Sequence, residues 1–181
     1  MQVFKNFNGK KVLITGHTGF KGSWLSIWLK KLGATVYGVS LNIPSKPSHF
    51  ISANLSSGLE DHRFDIRDAK SIAALVQKIQ PDFVFHLAAQ ALVRPSYKSP
   101  LETISTNAMG TANVLEALRY LDKSVVAVMI TSDKAYDNLE WVWGYRETDR
   151  LGGKDPYSAS KGMAELVIRT YVESFFNSKN A

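Results

Sequence analysis

Lys11-Val12-Leu13-Ile14-Thr15-Gly16-His17-Thr18-Gly19-Phe20-Lys21-Gly22 is the stretch that decides the fold of this chain. A short apolar run ends in a glycine-rich turn. Beyond the turn Phe20, Trp24, Leu25, Ile27, Trp28 and Leu32 recur at helical spacing until Gly33 stops them. Glycine lets such a turn tighten and lets backbone N–H groups approach a pyrophosphate, while the helix N-terminus adds unpaired donors and a positive dipole end. The spacing is G-x-x-G-x-x-G, not G-x-G-x-x-G, so the flanking strand and helix carry the reading as much as the glycines do. Gly16, Thr18, Gly19, Phe20, Lys21 and Gly22 are therefore candidate phosphate-side residues, and the plainer alternative is a turn that only connects two elements.

Outward from this stretch, short apolar runs alternate with helical ones. Ala34–Val39 reads as a second strand and residues 41–60 as a loop rich in Ser, Asn, Gly and Pro. Arg63–Ile66 reads as a third strand, and a helix capped by Asp68 runs to about Gln80 before Pro81. Phe83–Leu87 is a fourth strand. A long helix over Leu101–Leu121, a fifth strand over Val125–Ile130, a polar and aromatic loop over 133–155 and a last helix over Pro156–Phe176 complete the series. Apolar strands separated by helices predict an α/β fold, a doubly wound parallel sheet covered on both faces.

In such folds an Asp or Glu near the end of the second strand meets the ribose 2′-hydroxyl of NAD. Here that strand ends Val39-Ser40-Leu41, and no carboxylate occurs between Gly22 and Glu60. Ser40 or Asn42 could bond the ribose, and Lys46 could meet a 2′-phosphate, so this end of the sheet leaves NAD and NADP both open. Asp65 is a candidate acceptor for the adenine amino group, or a helix cap together with Asp68. Ala88-Ala89-Gln90 would let a ligand lie close to small side chains, and His86 reads as a packed, hydrogen-bonded core histidine.

Proton-handling groups cluster after the fifth strand. Thr131-Ser132-Asp133-Lys134 sets a hydroxyl, a carboxylate and an ammonium in a row, and Tyr157 and Lys161 follow, four apart on one face of the last helix. A free tyrosine titrates near ~10, and a neighbouring lysine cation favours the tyrosinate that a base requires. Ser132 could bond a substrate hydroxyl and relay its proton to Tyr157. Hydride transfer needs neither Asp133 nor Lys134. An acid and an amine side by side can protonate a leaving hydroxyl and take a carbon-bound proton, which is elimination of water; the plain alternative is a surface Asp–Lys pair.

The 181 residues amount to one domain, with 45% hydrophobic and 21% charged residues. No apolar run reaches the ~20 residues that span a bilayer, and Met1-Gln2-Val3-Phe4-Lys5 lacks the apolar stretch of a signal peptide. The absence of cysteine excludes disulfides and thiolate sites, and no metal site is assigned. A cytoplasmic protein is expected. The net charge of +6 is scattered over Lys10-Lys11, Lys21, Lys30-Lys31 and Lys78 with no stripe, which argues against nucleic acid and suits a small anionic ligand.

These motifs resemble the extended short-chain dehydrogenase/reductases over essentially the whole chain. The general ones are the glycine turn, Asp65-Ile66, His86-Leu87-Ala88-Ala89-Gln90, Asn107 in Thr106–Thr111, and Tyr157 with Lys161. More specific are Gly16–Trp24, Thr131–Lys134 and Glu140-Trp141-Val142-Trp143-Gly144-Tyr145-Arg146-Glu147, which are similar to the branch of 4,6-dehydratases acting on CDP-glucose. The resemblance implies a Rossmann-type NAD-binding domain with Ile66, Leu87, Ala88, Ala89, Gln90 and Asn107 lining the cofactor, and makes NAD the better choice at Ser40. It implies C4 oxidation with Tyr157 as base, Asp133 as acid towards the C6 hydroxyl, Lys134 where related enzymes carry a glutamate base, and hydride return to C6. It also implies pairing of the two long helices between copies. Members are about twice this long, so residues 1–181 are expected to be one truncated domain, its sheet incomplete on the C-terminal side and its substrate domain absent. A nucleotide-sugar 4-epimerase, or a catalytically incomplete NAD-binding fragment, is the alternative.

Overall fold

Five parallel strands form one sheet in the order β3-β2-β1-β4-β5. The computed structural model describes residues 6–177; the stretch Met1–Lys5, read above for a signal peptide, lies outside them. The strands are β1 (Lys11–Thr15), β2 (Thr35–Ser40), β3 (Glu60–Arg63), β4 (Phe83–His86) and β5 (Val126–Met129). β1 is central, paired with β2 and β4, and Val12, Leu13 and Ile14 have no exposed surface. Full burial of each such side chain stabilises by about 1.5–3 kcal/mol, which is why this run anchors the sheet.

The helices divide between two faces. Leu13, Tyr37, Val39 and Val84 pack with Ile72, Val76 and Ile79 of α3 (Ala69–Ile79) and Val114 and Leu118 of α6 (Gly110–Arg119). On the other face Val12, Ile14 and Val36 meet Leu29 and Leu25 of α1 (Phe20–Lys31). The α1 helix turns opposite to what its apolar spacing suggests. Gly22, Ser23 and Ser26 face the sheet with Leu29, and Phe20, Trp24 and Trp28 point outward, 72%, 54% and 54% exposed. Close approach explains this. A Cβ on Gly22 would stand 2.2 Å from the Gly16 carbonyl oxygen, so the face turned to the phosphate turn must be small and the large rings go to solvent.

Three other expectations need correction. The third strand is Glu60–Arg63, three residues ahead of Arg63–Ile66, and Asp65 lies beyond its end. Its charged run is tolerated because β3 is the edge strand, bonded only to β2. Within the 41–60 loop, α2 (His49–Ser52) and a 3₁₀ turn (Leu55–Gly58) form. The long helix begins earlier and is interrupted. α4 (Val93–Lys98) ends at Ser99, α5 (Pro100–Ile104) starts on proline, and a π turn at Ser105–Met109 leads into α6. The last helix, α7 (Pro156–Tyr171), has Asp155 as its N-cap, accepting from Ser158 N–H at 3.0 Å, and passes into a π turn at Val172–Phe176.

Candidate functional site

The glycine turn closes over the C-terminal ends of β1, β2 and β4. Gly16 donates to the Val39 carbonyl at 2.7 Å, with φ +79°. A Cβ there would stand 2.8 Å from the Ala88 nitrogen, so only glycine lets the two segments touch. Thr18 N–H donates to Ser40 Oγ at 3.3 Å and Thr18 Oγ1 donates to the Asn42 carbonyl at 2.7 Å. The α1 N-terminus has no side-chain cap on its amides, which leaves backbone donors and the positive dipole end facing out of the turn. Phe20 and Lys21 are exposed at its mouth, and Leu87, Ala88, Ala89 and Gln90 form a half-buried strip after β4. This cradle of close backbone and free amides fits a dinucleotide pyrophosphate.

Asn107 connects that strip to α7. It is 1% exposed in the π turn. Its Oδ1 accepts from Gln90 N–H at 2.8 Å, and its Nδ2 donates to the Gln90 carbonyl at 3.0 Å and to Ser160 Oγ at 2.8 Å. Ser160 Oγ in turn donates to the Tyr157 carbonyl at 2.6 Å. π turns cluster at functional sites, and this one turns an amide toward two segments at once. Ser160 was given no role from sequence; its place between Tyr157 and Lys161 was the available signal.

The tetrad after β5 docks on α7. Lys161, 6% exposed, donates from Nζ to the Ile130 carbonyl at 3.2 Å. Thr131 Oγ1 donates to Glu165, one turn further along α7. Ser132 caps the 3₁₀ turn Asp133–Ala135, accepting from Lys134 N–H at 3.2 Å, and its Oγ donates to Asp133 Oδ1 at 3.0 Å. Asp133 and Lys134 are exposed, and Tyr157 is buried to 9% exposure. Burial pushes the Lys161 ammonium below its ordinary pKa, and Glu165 opposes that shift.

Two residues expected to line the cofactor also make contacts within the fold. Asp65 accepts from Arg67 N–H at 2.8 Å and from its guanidinium at 2.6 and 2.9 Å. The cap of α3 is Asp68 alone, bonded to Lys70 and Ser71 N–H. Arg67 holds the Asp65 carboxyl below the usual carboxylate range. Ile66 is buried against Gly110 of α6.

His86 is a core histidine. Thr15 Oγ1 lies 2.7 Å from Nδ1 and Thr111 Oγ1 3.1 Å from Nε2. Thr111 already donates to the Asn107 carbonyl, so the Nε2–H tautomer satisfies both contacts. Burial, then the Lys161 cation, pushes its pKa down to about 3. An unfolded histidine takes its proton below 6.5 while the folded one refuses it, so stability falls as pH falls from 6.5 towards 3. The slope is at most about 1.4 kcal/mol per pH unit for one group. Thermal midpoints across this window should drop on acidification, and His86→Gln should flatten the part above the carboxylate range. An unchanged slope in that variant contradicts the assignment.

Fold and site together define a Rossmann-type domain of the extended short-chain dehydrogenase/reductase class. Residues 13–177 match the GDP-mannose 4,6-dehydratase family, and the chain belongs to that family. It is 53% identical over 177 residues to CDP-glucose 4,6-dehydratase of Salmonella typhimurium, covering 97% of this chain and 49% of the relative. It is 31% identical over 178 residues to GDP-mannose 4,6-dehydratase of Yersinia enterocolitica, covering 92% and 46%. UDP-glucose 4-epimerase of Thermus thermophilus, solved in complex with NAD, superposes with a TM-score of 0.78 at 30% identity over 92% of this chain and 52% of that one. The chain thus spans about half the length of the curated relatives it matches.

Proposed function

We propose that this chain carries the cofactor-binding and acid–base half of an NAD-dependent nucleotide-sugar 4,6-dehydratase that converts CDP-glucose to CDP-4-keto-6-deoxyglucose. The observation that carries the reading is the docking of the Ser132–Asp133–Lys134 turn on α7 beside Lys161, with Asp133 and Lys134 exposed at the carboxyl end of the sheet. Ligands of open α/β sheets bind at that end. The 53% identity to a CDP-glucose 4,6-dehydratase supports the substrate. The epimerase neighbour shares the fold, but inversion at C4 gives Asp133 and Lys134 no task.

Bound NAD would supply the hydride acceptor at C4 and the donor at C6. The residues would do the rest. The Gly16–Gly22 turn and the α1 amides would hold the pyrophosphate, Ser40 would lie at the ribose end of the turn, and the half-buried strip from Leu87 to Gln90 would floor the site. Tyr157 takes the C4 hydroxyl proton, with Ser132 bonding that oxygen. Lys161 would place a cation one helical turn further along α7. The C4 ketone acidifies the C5 proton. Lys134 would remove that proton and Asp133 would protonate the departing C6 hydroxyl, so one water leaves across C5–C6, and Lys134 would return its proton to C5 when C6 is reduced.

The division of labour is testable in a chain of the relatives' full length. Asp133→Asn removes the acid and leaves the redox residues intact. Water loss is expected to fall by about 10²–10⁴-fold, with C4 oxidation, followed by the near-ultraviolet absorbance of reduced nicotinamide, changed far less. Equal loss of both steps contradicts the split. For the 181-residue chain, calorimetric titration should show NAD binding; its absence would contradict the cofactor half of the reading.

The outward apolar side chains of the long helices, Leu101 at 81%, Met109 at 56% and Leu166 at 53% exposure, support pairing with a second copy. No helix among the described residues is long and apolar enough to cross a membrane, and we place the protein in the cytoplasm.

A further inference from the structure

We propose that Asp61 is the residue that sets NAD above its 2′-phosphorylated form, by holding Arg63 away from the ribose; this rests on the dinucleotide reading above. The second strand ends on Ser40, without the acid that ordinarily meets a 2′-hydroxyl. The sheet brings the acid in from its neighbour. β3 pairs in register with β2, Gly38 opposite Asp61 and Ser40 opposite Arg63. An arginine beside the end of β2 is what accommodates a 2′-phosphate in this fold, and a bidentate guanidinium is well matched to phosphate. On position alone, Arg63 would favour NADP.

Asp61 removes that option. Arg63 Nε lies 2.7 Å from Asp61 Oδ1, and Arg63 Nη2 donates to Asp61 Oδ2 at 2.7 Å. The guanidinium also lies 5.2 Å from the Phe50 ring centre. The fork is therefore filled by a carboxylate and stacked on a ring, and a 2′-phosphate would have to displace a negative charge to reach it. The carboxylate is itself fixed from the phosphate turn. His17, with no exposed surface, contacts Asp61 Oδ1 through Nε2 at 2.9 Å and Ser40 Oγ through Nδ1 at 3.0 Å. With the proton on Nε2, His17 donates to Asp61 and accepts from Ser40, which accepts from Thr18 N–H. The acid absent from β2 thus acts from β3, tied through His17 to the residue that ends β2.

The test is the affinity of the chain for NAD and for NADP, measured by calorimetry, in the wild type and three variants. The wild type should prefer NAD. Asp61→Asn keeps the shape and an acceptor for His17 while removing the charge; the NADP-to-NAD affinity ratio should rise by about tenfold. The double variant Asp61→Asn/Arg63→Gln should return that ratio to near its starting value. Arg63→Gln alone, which leaves the turn's contacts with Asp61 in place, should weaken NADP further and leave NAD within about twofold. A merely structural Asp61 would change both affinities together and would not be reversed by Arg63→Gln. An unchanged ratio in Asp61→Asn with NAD still bound overturns this inference alone. Failure of the wild type to bind either dinucleotide overturns the proposed function with it.

Discussion

Replacing Lys161 by methionine is expected to slow C4 oxidation in the full-length protein by about 10²–10⁴-fold while leaving the fold at least as stable. The two halves of that result have one cause. Lys161 is 6% exposed and its ammonium has one hydrogen bond, to the Ile130 carbonyl. Burial depresses its pKa. The unfolded chain therefore binds a proton more readily than the folded one between the lowered value and 10.5, and stability rises with pH through that window. At neutral pH the buried cation is a cost that an apolar side chain of similar length removes. Such a charge is held where it is useful, one helical turn from Tyr157. Thermal unfolding and single-turnover oxidation of CDP-glucose, measured on the same variant, check both halves. A variant that unfolds earlier and keeps its redox rate would reverse the assignment.

Asn107→Ala should give the largest loss of stability. The side chain is 1% exposed and makes three hydrogen bonds, to both backbone groups of Gln90 and to Ser160. Truncation leaves the Gln90 groups half-buried without partners, and unmade buried bonds cost about 1–3 kcal/mol each. A net loss of about 3 kcal/mol lowers the melting temperature of a chain this size by about 6–12 °C. Ser160→Ala breaks one of these links and should cost about 1 kcal/mol. Because the two residues share a bond, the double variant should fall short of the sum. Strict additivity would show that the Gln90–Asn107–Ser160 chain does not act as a unit. The same truncation should weaken NAD binding, since Gln90 ends the strip proposed to floor the cofactor site.

What could be read from sequence was what is local. The Gly16–Gly22 turn was legible because strand and helix signals flank it directly, and Tyr157 with Lys161 because four residues is one helical turn. The π turn at Ser105–Met109 was not: its sequence, Ser-Thr-Asn-Ala-Met, is ordinary helix, and the extra residue is stabilised by Asn107 bonding to segments 17 and 53 positions away. β3 was misplaced because Glu60-Asp61-His62-Arg63 has no apolar alternation; its strand conformation comes from pairing with β2. Aromatic spacing showed that α1 is a helix but not which way it faces. Two small residues, Gly22 and Ser26, decided that by packing where no ring fits. The sequence has no acid directly after β2, and the position of Asp61 opposite Gly38 emerges only once β2 and β3 lie side by side.

In the proposed reaction Ser132, Asp133, Lys134, Tyr157 and Lys161 serve one dehydration. The most direct test gives a full-length protein CDP-glucose carrying deuterium at C4 and follows the sugar by mass and by NMR. The expected product is a 4-keto-6-deoxy sugar that has lost one water and carries the deuterium in its new methyl group. A product of unchanged mass with the C4 configuration inverted would contradict it and make the protein an epimerase.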